Sequence, residues 1–248
     1  MSVDIDGQTF HEDVDITPRQ FYDRMARSTA LPKTSQPSPG AFQETFDALA
    51  DEGPLLCLTI SSKLSGTFQS AGVARGLSRT EVIVFDSLTG SLGLGLQVLR
   101  CCDLLDAGRA PADVVTELTR YRADMKTLVL LNTLDNIVKG GRLSRLQGTV
   151  SKLLDIRVLL HDADGAVEVL EKVHGHRRLL EEALEQVAAR HPDLSDRDVG
   201  ITHFNNPADA EWLASELRER FSARGVIVNE MGPTMATYAG EGGMILAV

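Results

Sequence analysis

The chain has 248 residues, 43% hydrophobic and 24% charged, with a formal net charge of −10. That length supports a large core in one or two domains. The acidic balance, without any long basic run, argues against nucleic acid as the main partner and against docking on anionic membranes, yet leaves room for a small anionic ligand in a local site.

No apolar run approaches the roughly 18 residues of a membrane span. The acidic start, with Asp4, Asp6, Glu12 and Asp13, is unlike a signal or transit peptide. A cytoplasmic protein without stable membrane insertion is the expectation. The three cysteines, Cys57, Cys101 and Cys102, lack a Cys-x-x-Cys spacing and read as buried reduced thiols.

Residues 2–10 alternate around Asp6-Gly7, a turn signal. Thr17-Pro18 opens a helix, with Thr17 as N-cap and Phe21 and Met25 on one face. Residues 31–40 carry three prolines and read as a rigid loop. A helix from about 41 to 51 is expected to bury Phe42, Phe46 and Leu49. The apolar run 55–60 reads as a buried strand. A helix with Phe68, Ala71, Ala74 and Leu77 on one face follows. A strand at 82–85, helices at about 90–107 and after Pro111, and a strand at 128–131 complete a pattern of alternating strands and helices. Such a pattern predicts a parallel sheet.

Beyond Gly140-Gly141 the pattern changes. A helix around 146–154 leads to a strand at 156–160. Asp164-Gly165 then turns the chain into the alternating run 167–173, a hairpin signal. A helix at 176–190, a strand at 199–203, a helix at 207–224 with the lone Trp212, a strand at 226–230 and a glycine-rich end with apolar 244–248 follow. The expected fold is α/β in two domains: a parallel-sheet, three-layer α/β domain over 1–145, and an α+β domain with an antiparallel sheet over 146–248. A ligand site is expected between them.

Four hydroxyls, Ser61, Ser62, Ser65 and Thr67, fall where the strand at 55–60 passes into a helix. Ligands bind at the carboxyl ends of strands in open α/β sheets, and free N–H groups at a helix start favour an anion. Ser or Thr at such a junction is also an ordinary N-cap. Ser65 can approach an acidic head group, and Gly66 clears the side chain that would block backbone contact. Lys139-Gly-Gly-Arg142 follows a strand and a polar turn; it fits either an Arg held against an anion or a helix C-cap with a solvated Arg. Thr34 and Ser35 sit in the proline-braced segment, whose rigidity lowers the cost of presenting hydroxyls.

Nucleotide, calcium, metalloprotease and nucleophile-elbow patterns all fail to match, so no cofactor or metal is expected. The six histidines show no metal spacing, and Ser65 has no base at a fixed distance in sequence, although His203 and an Asp could in principle complete a triad.

Lys33-Thr-Ser-Gln-Pro-Ser-Pro39, Ile60-Ser-Ser-Lys-Leu-Ser-Gly-Thr-Phe-Gln-Ser70, Val84-Phe-Asp-Ser87 and Asn132-Thr-Leu-Asp-Asn-Ile-Val-Lys-Gly-Gly-Arg142, in this order, resemble the DegV family over nearly the whole chain. The resemblance implies a protein that binds a long-chain fatty acid and, in some members, serves as the acyl-carrying subunit of a bacterial fatty acid kinase. By the same resemblance Thr34, Ser65 and the Gly66 amide hold the carboxylate, and Arg142 lies at the exposed head-group edge, where a kinase partner would add phosphate.

Two departures stand out. Family members usually begin with a strand bearing a Thr-Asp-Ser-type motif upstream of the point where Met1 falls here, so an upstream segment is expected. Thr237-Tyr-Ala-Gly-Glu-Gly242 replaces a Thr-His-x-Gly-Pro-Gly pattern. Tyr238 therefore takes the place of a histidine, and a phenol does not titrate near neutrality. The alternatives are an enzyme, a phosphotransferase or hydrolase using Ser65, and a regulatory binder of another carboxylate.

Overall fold

The computed structural model describes residues 1–143 and 156–248. The helix expected at 146–154 lies outside them.

Strands β1 (Ser2–Ile5) and β2 (Gln8–His11) form the expected hairpin about Asp6-Gly7. Helix α1 (Pro18–Arg27) starts at Thr17, whose hydroxyl and main chain exchange capping-box bonds with Gln20. The proline-rich segment is not all loop. Within it, β3 (Lys33–Ser35) pairs antiparallel with β1, bringing Thr34 opposite Val3. The three residues need only one edge to pair, so the flanking prolines do not prevent it. Ser38 then caps α2 (Pro39–Ala48), which ends before Leu49, and Leu49 is 45% exposed. A single 3-10 turn follows at Ala50–Glu52.

Strands β4 (Leu55–Thr59) and β5 (Val82–Asp86) pair in parallel around α3 (Thr67–Arg75). Leu55 and Cys57 face Phe46, Ala71 and Ala74. Leu56 and Leu58 face Leu104, Val114 and Leu118 of α4 (Leu92–Asp106) and α5 (Pro111–Asp124). The two-residue period of a strand thus fills both faces and produces a three-layer α/β unit. Leu77 lies past the end of α3 and is exposed. Cys101 is buried, but Cys102 is exposed, because adjacent helix positions point in different directions.

The second sheet runs β10-β9-β11-β6-β7-β8. It contains β6 (Thr127–Leu131), β7 (Ile156–Ala163), β8 (Ala166–His174), β9 (Asp198–His203), β10 (Gly225–Glu230) and β11 (Met244–Ala247). Only β9 and β10 are parallel; β6, β7, β8 and β11 pair antiparallel. The parallel reading of 128–131 is therefore corrected. β6 is buried at every position, and a strand covered on both faces shows no alternation from which its partners can be read. Although it precedes residue 145, it belongs to this sheet, as does the packing of β1 and α1. The two units therefore interleave in sequence.

Leu128, Leu130, Met244 and Leu246 face α7 (His176–Arg190) and α8 (Pro207–Phe221). Val129, Leu131 and Ile245 face the opposite way, toward Val3, Ile5, Phe21 and α9 (Pro233–Ala239). Among the described residues no helix is long and apolar enough to cross a membrane, and no cluster of His, Cys, Asp and Glu could hold a metal ion.

Candidate functional site

The two units meet around an apolar cavity. Its floor is one face of the second sheet, Val129, Leu131, Val167 and Ile245, which belong to or pack against one core cluster. Its walls are Ile60 and Leu64 after β4, Ile137 of α6 (Asp135–Lys139), and Met235 and Ala239 of α9. The polar side chains reaching it are few: Thr34, Ser65, Arg142, Thr234 and Tyr238. A mostly apolar pocket with a handful of polar groups is the usual form of a small-molecule site.

The strand period turns Thr34 inward while Lys33 and Ser35 stay exposed. The Thr34 hydroxyl is 2.5 Å from that of Tyr238. The Ser65 hydroxyl pairs with that of Thr67 at 2.8 Å and accepts from the Thr67 N–H at 3.3 Å. Arg142 donates to the carbonyls of Gly140 and Leu64, and its guanidinium lies 4.8 Å from the centre of the Tyr238 ring. Thr34, Ser65, Arg142 and Tyr238 are thus brought to one cavity from four separate segments.

Gly66 is placed differently. It is the N-cap of α3 and is not part of the cavity wall. A β-carbon there would overlap the Gln36 side-chain amide, which donates to Ser70 at 2.9 Å. The space this glycine clears is filled by Gln36. The paired glycines of Lys-Gly-Gly-Arg also serve separate ends. Gly141 adopts a φ of 69°, in the left-handed region. Gly140 keeps an ordinary φ of −76° and is small because the Cδ1–Cε1 edge of the Tyr238 ring lies against it.

Other polar groups of the 60–71 segment have structural partners. Ser61, fully buried, donates to the Gly165 carbonyl at 2.6 Å and accepts from the Lys63 N–H, tying this loop to the β7–β8 turn. The Ser62 and Leu88 N–H groups both donate to Asp86, which braces the loops after β4 and β5.

Burial raises the Cys57 thiol to about 11. The Tyr22 phenol is likewise shifted upward by burial; it donates to the Met231 and His203 carbonyls. His203 is held below its usual range by burial and accepts from the Asn206 N–H through Nδ1 at 3.3 Å. It is engaged on its own strand end, and the Ser65 hydroxyl is bonded to Thr67, so the structure does not pair Ser65 with a histidine.

Sequence reasoning missed α9. Its seven residues sit in a glycine-rich stretch and follow Pro233 at the first helical turn, which is the signal that could have found it. The apolar wall residues carried no signal of their own beyond being core.

An interleaved α/β fold with an apolar cavity edged by hydroxyls and one arginine defines a small-molecule-binding class. The DegV family model, described as "Uncharacterised protein, DegV family", matches residues 1–248, and the chain belongs to that family. A DegV domain-containing protein of Halalkalibacterium halodurans is 32% identical over 250 aligned positions, covering 100% of this chain and 88% of the relative. The solved structure of a fatty acid-binding DegV family protein from Thermus thermophilus superposes with a TM-score of 0.93 at 29% identity, covering 99% of this chain and 89% of that one. The fatty acid kinase B3 protein of Streptococcus pneumoniae, solved loaded with linoleic acid, gives 0.87 at 28% identity, with coverages of 99% and 88%.

Proposed function

We propose that this chain binds a long-chain fatty acid in the cavity between its two units and presents the carboxylate to a fatty acid kinase partner. The observation that carries this reading is the arrival of Thr34 and Ser65 at one end of an otherwise apolar cavity, beside Arg142 and Tyr238. The Thr34 and Ser65 hydroxyls hold the carboxylate. The tail lies along Val129, Met235 and Ile245. Arg142 and Tyr238 form the head-group edge that faces the kinase.

The energetics divide the labour. Burying about 14 methylenes at about 0.8 kcal/mol each contributes roughly 11 kcal/mol before losses. Hydrogen bonds to a charged head add about 1.5–3 kcal/mol apiece. The tail supplies most of the affinity, and the hydroxyls decide which end points outward.

Displacement of a fluorescent fatty acid by unlabelled acids tests the reading. Saturable competition by long-chain acids, and loss of affinity in Ser65→Ala and Thr34→Val, supports it. Absence of competition overturns it. The alternative, an enzyme using Ser65, predicts turnover by the isolated chain that Ser65→Ala abolishes. The bond from Ser65 to Thr67 in place of a base favours binding.

A further inference from the structure

Thr234 reaches the cavity with its hydroxyl already engaged. It is buried and lines the wall, yet its Oγ1 donates to Glu12 Oε2 at 2.6 Å across 222 positions of sequence. An ionised carboxylate can only accept, so the proton of this bond comes from Thr234. A threonine hydroxyl has one proton, and Glu12 holds it. Only acceptor capacity remains for a ligand.

Room for the Glu12 carboxylate is built into the facing segment. A β-carbon at Gly232, two residues before Thr234, would overlap Glu12 Oε1. Among the described residues Glu12 forms no ion pair. Its charge is not neutralised by a neighbouring cation and acts over a short path on the cavity wall.

One turn along α9 the balance is reversed. Thr234 and Tyr238 stand four positions apart, so they share a helix face about 5.4 Å apart along the axis. Thr34 and Tyr238 share a single bond at 2.5 Å. Two hydroxyls carry two protons, so one remains to donate. Arg142, stacked on the same ring, adds guanidinium N–H groups. A carboxylate needs donors and is repelled by charge of its own sign. This face of α9 therefore offers it a donor at Tyr238 and, one turn away, an acceptor backed by a negative charge.

We propose that Glu12 is a positioning residue that sets the register of the bound acid along α9. By holding the Thr234 proton it denies the carboxylate a donor there and keeps it beside Thr34 and Tyr238. The proposal rests on the fatty acid reading of the cavity.

The test is the carboxyl NMR signal of oleic acid, isotope-labelled at that carbon, bound to the full chain and to its variants. The unaltered chain is expected to give one bound signal. Glu12→Ala frees the Thr234 proton and is expected to give a second one with about a tenth of the bound intensity or more, because losing a hydrogen bond to a charged group shifts such a balance about tenfold. Thr234→Val in the Glu12→Ala background is expected to remove that second signal. Glu12→Gln keeps the shape of the side chain and drops the charge; it guards against misfolding of the alanine variant and is expected to show the second signal at lower intensity. One unchanged signal in both Glu12 variants, or a second signal that survives Thr234→Val, overturns the inference and leaves the fatty acid reading standing. Two bound signals in the unaltered chain overturn it in the same way. A Glu12 that only braced α9 would weaken binding without creating a signal that depends on Thr234. An unaltered chain with no bound signal removes the underlying reading as well.

Discussion

The hydroxyls of Thr34 and Tyr238 meet at 2.5 Å although 204 positions separate them in sequence. The contact joins a three-residue edge strand to a seven-residue helix and closes the polar end of the cavity. Because the two groups share one bond, their effects on ligand affinity are coupled. Thr34→Val and Tyr238→Phe are each expected to weaken fatty acid binding about five- to tenfold. The double variant is expected to lose less than the product of the two. Competition binding on the four proteins of the cycle measures this, and full additivity would show that the pair does not act together.

Gly140 and Gly66 predict opposite outcomes for the same substitution. In Gly140→Ala the new methyl meets the edge of the Tyr238 ring, a rigid group already committed to Thr34 and Arg142. A loss of about 1–3 kcal/mol in stability is expected, with weakened ligand binding. In Gly66→Ala the obstacle is the end of the exposed Gln36 side chain, which can swing away from Ser70. A stability loss below about 1 kcal/mol is expected there. Thermal unfolding of both variants checks the order; a larger loss in Gly66→Ala would contradict it.

Arg142 stacks on Tyr238 at the cavity edge and is held by two main-chain carbonyls. If it faces the kinase partner, Arg142→Ala slows phosphorylation of bound fatty acid far more than it weakens binding. Assay of acyl phosphate formation with a fatty acid kinase, alongside competition binding, separates the two effects. Equal losses in both would place Arg142 in ligand binding alone.

His203 gives the fold a pH dependence on the acid side. Burial lowers its folded pKa, and its Nδ1 accepts the Asn206 N–H, which requires the neutral ring. The unfolded chain then binds more protons than the folded chain below about pH 6.5, so stability falls as pH drops through that range. His191, also held low by burial and by Arg197, adds in the same direction. His203→Asn, which keeps an acceptor but cannot protonate, is expected to flatten the decline between about pH 7 and pH 5. Denaturant melts across that range measure it, and an unchanged slope would remove His203 as a cause.

Much of the fold is legible in the sequence because local signals agree with the final structure. Thr17-Pro18 and Asp164-Gly165 mark a helix start and a hairpin by their backbone demands alone, and both are realised. The strand partners are less legible. β6 is apolar throughout, and nothing in it distinguishes a parallel neighbour from the antiparallel β7 and β11 that flank it. The same holds for the site. Thr34, Ser65 and Arg142 are marked by hydroxyl-rich and glycine-flanked motifs. Gly66 and Gly140 look alike in sequence as backbone devices, whereas each makes room for a distant side chain, Gln36 or Tyr238. Such tertiary contacts leave no trace in spacing. The apolar wall is equally silent, since Ile137 and Ile245 line a cavity yet pattern as ordinary core.

The central claim is that the cavity between the two units holds a fatty acid. Native mass spectrometry of the purified full chain, followed by lipid extraction and incubation of the stripped protein with oleic acid, tests it directly. The account predicts a co-purified or readily acquired fatty acid at one molecule per chain, with occupancy reduced in a Thr34→Val, Ser65→Ala double variant. A chain that carries no fatty acid and takes up none would contradict it.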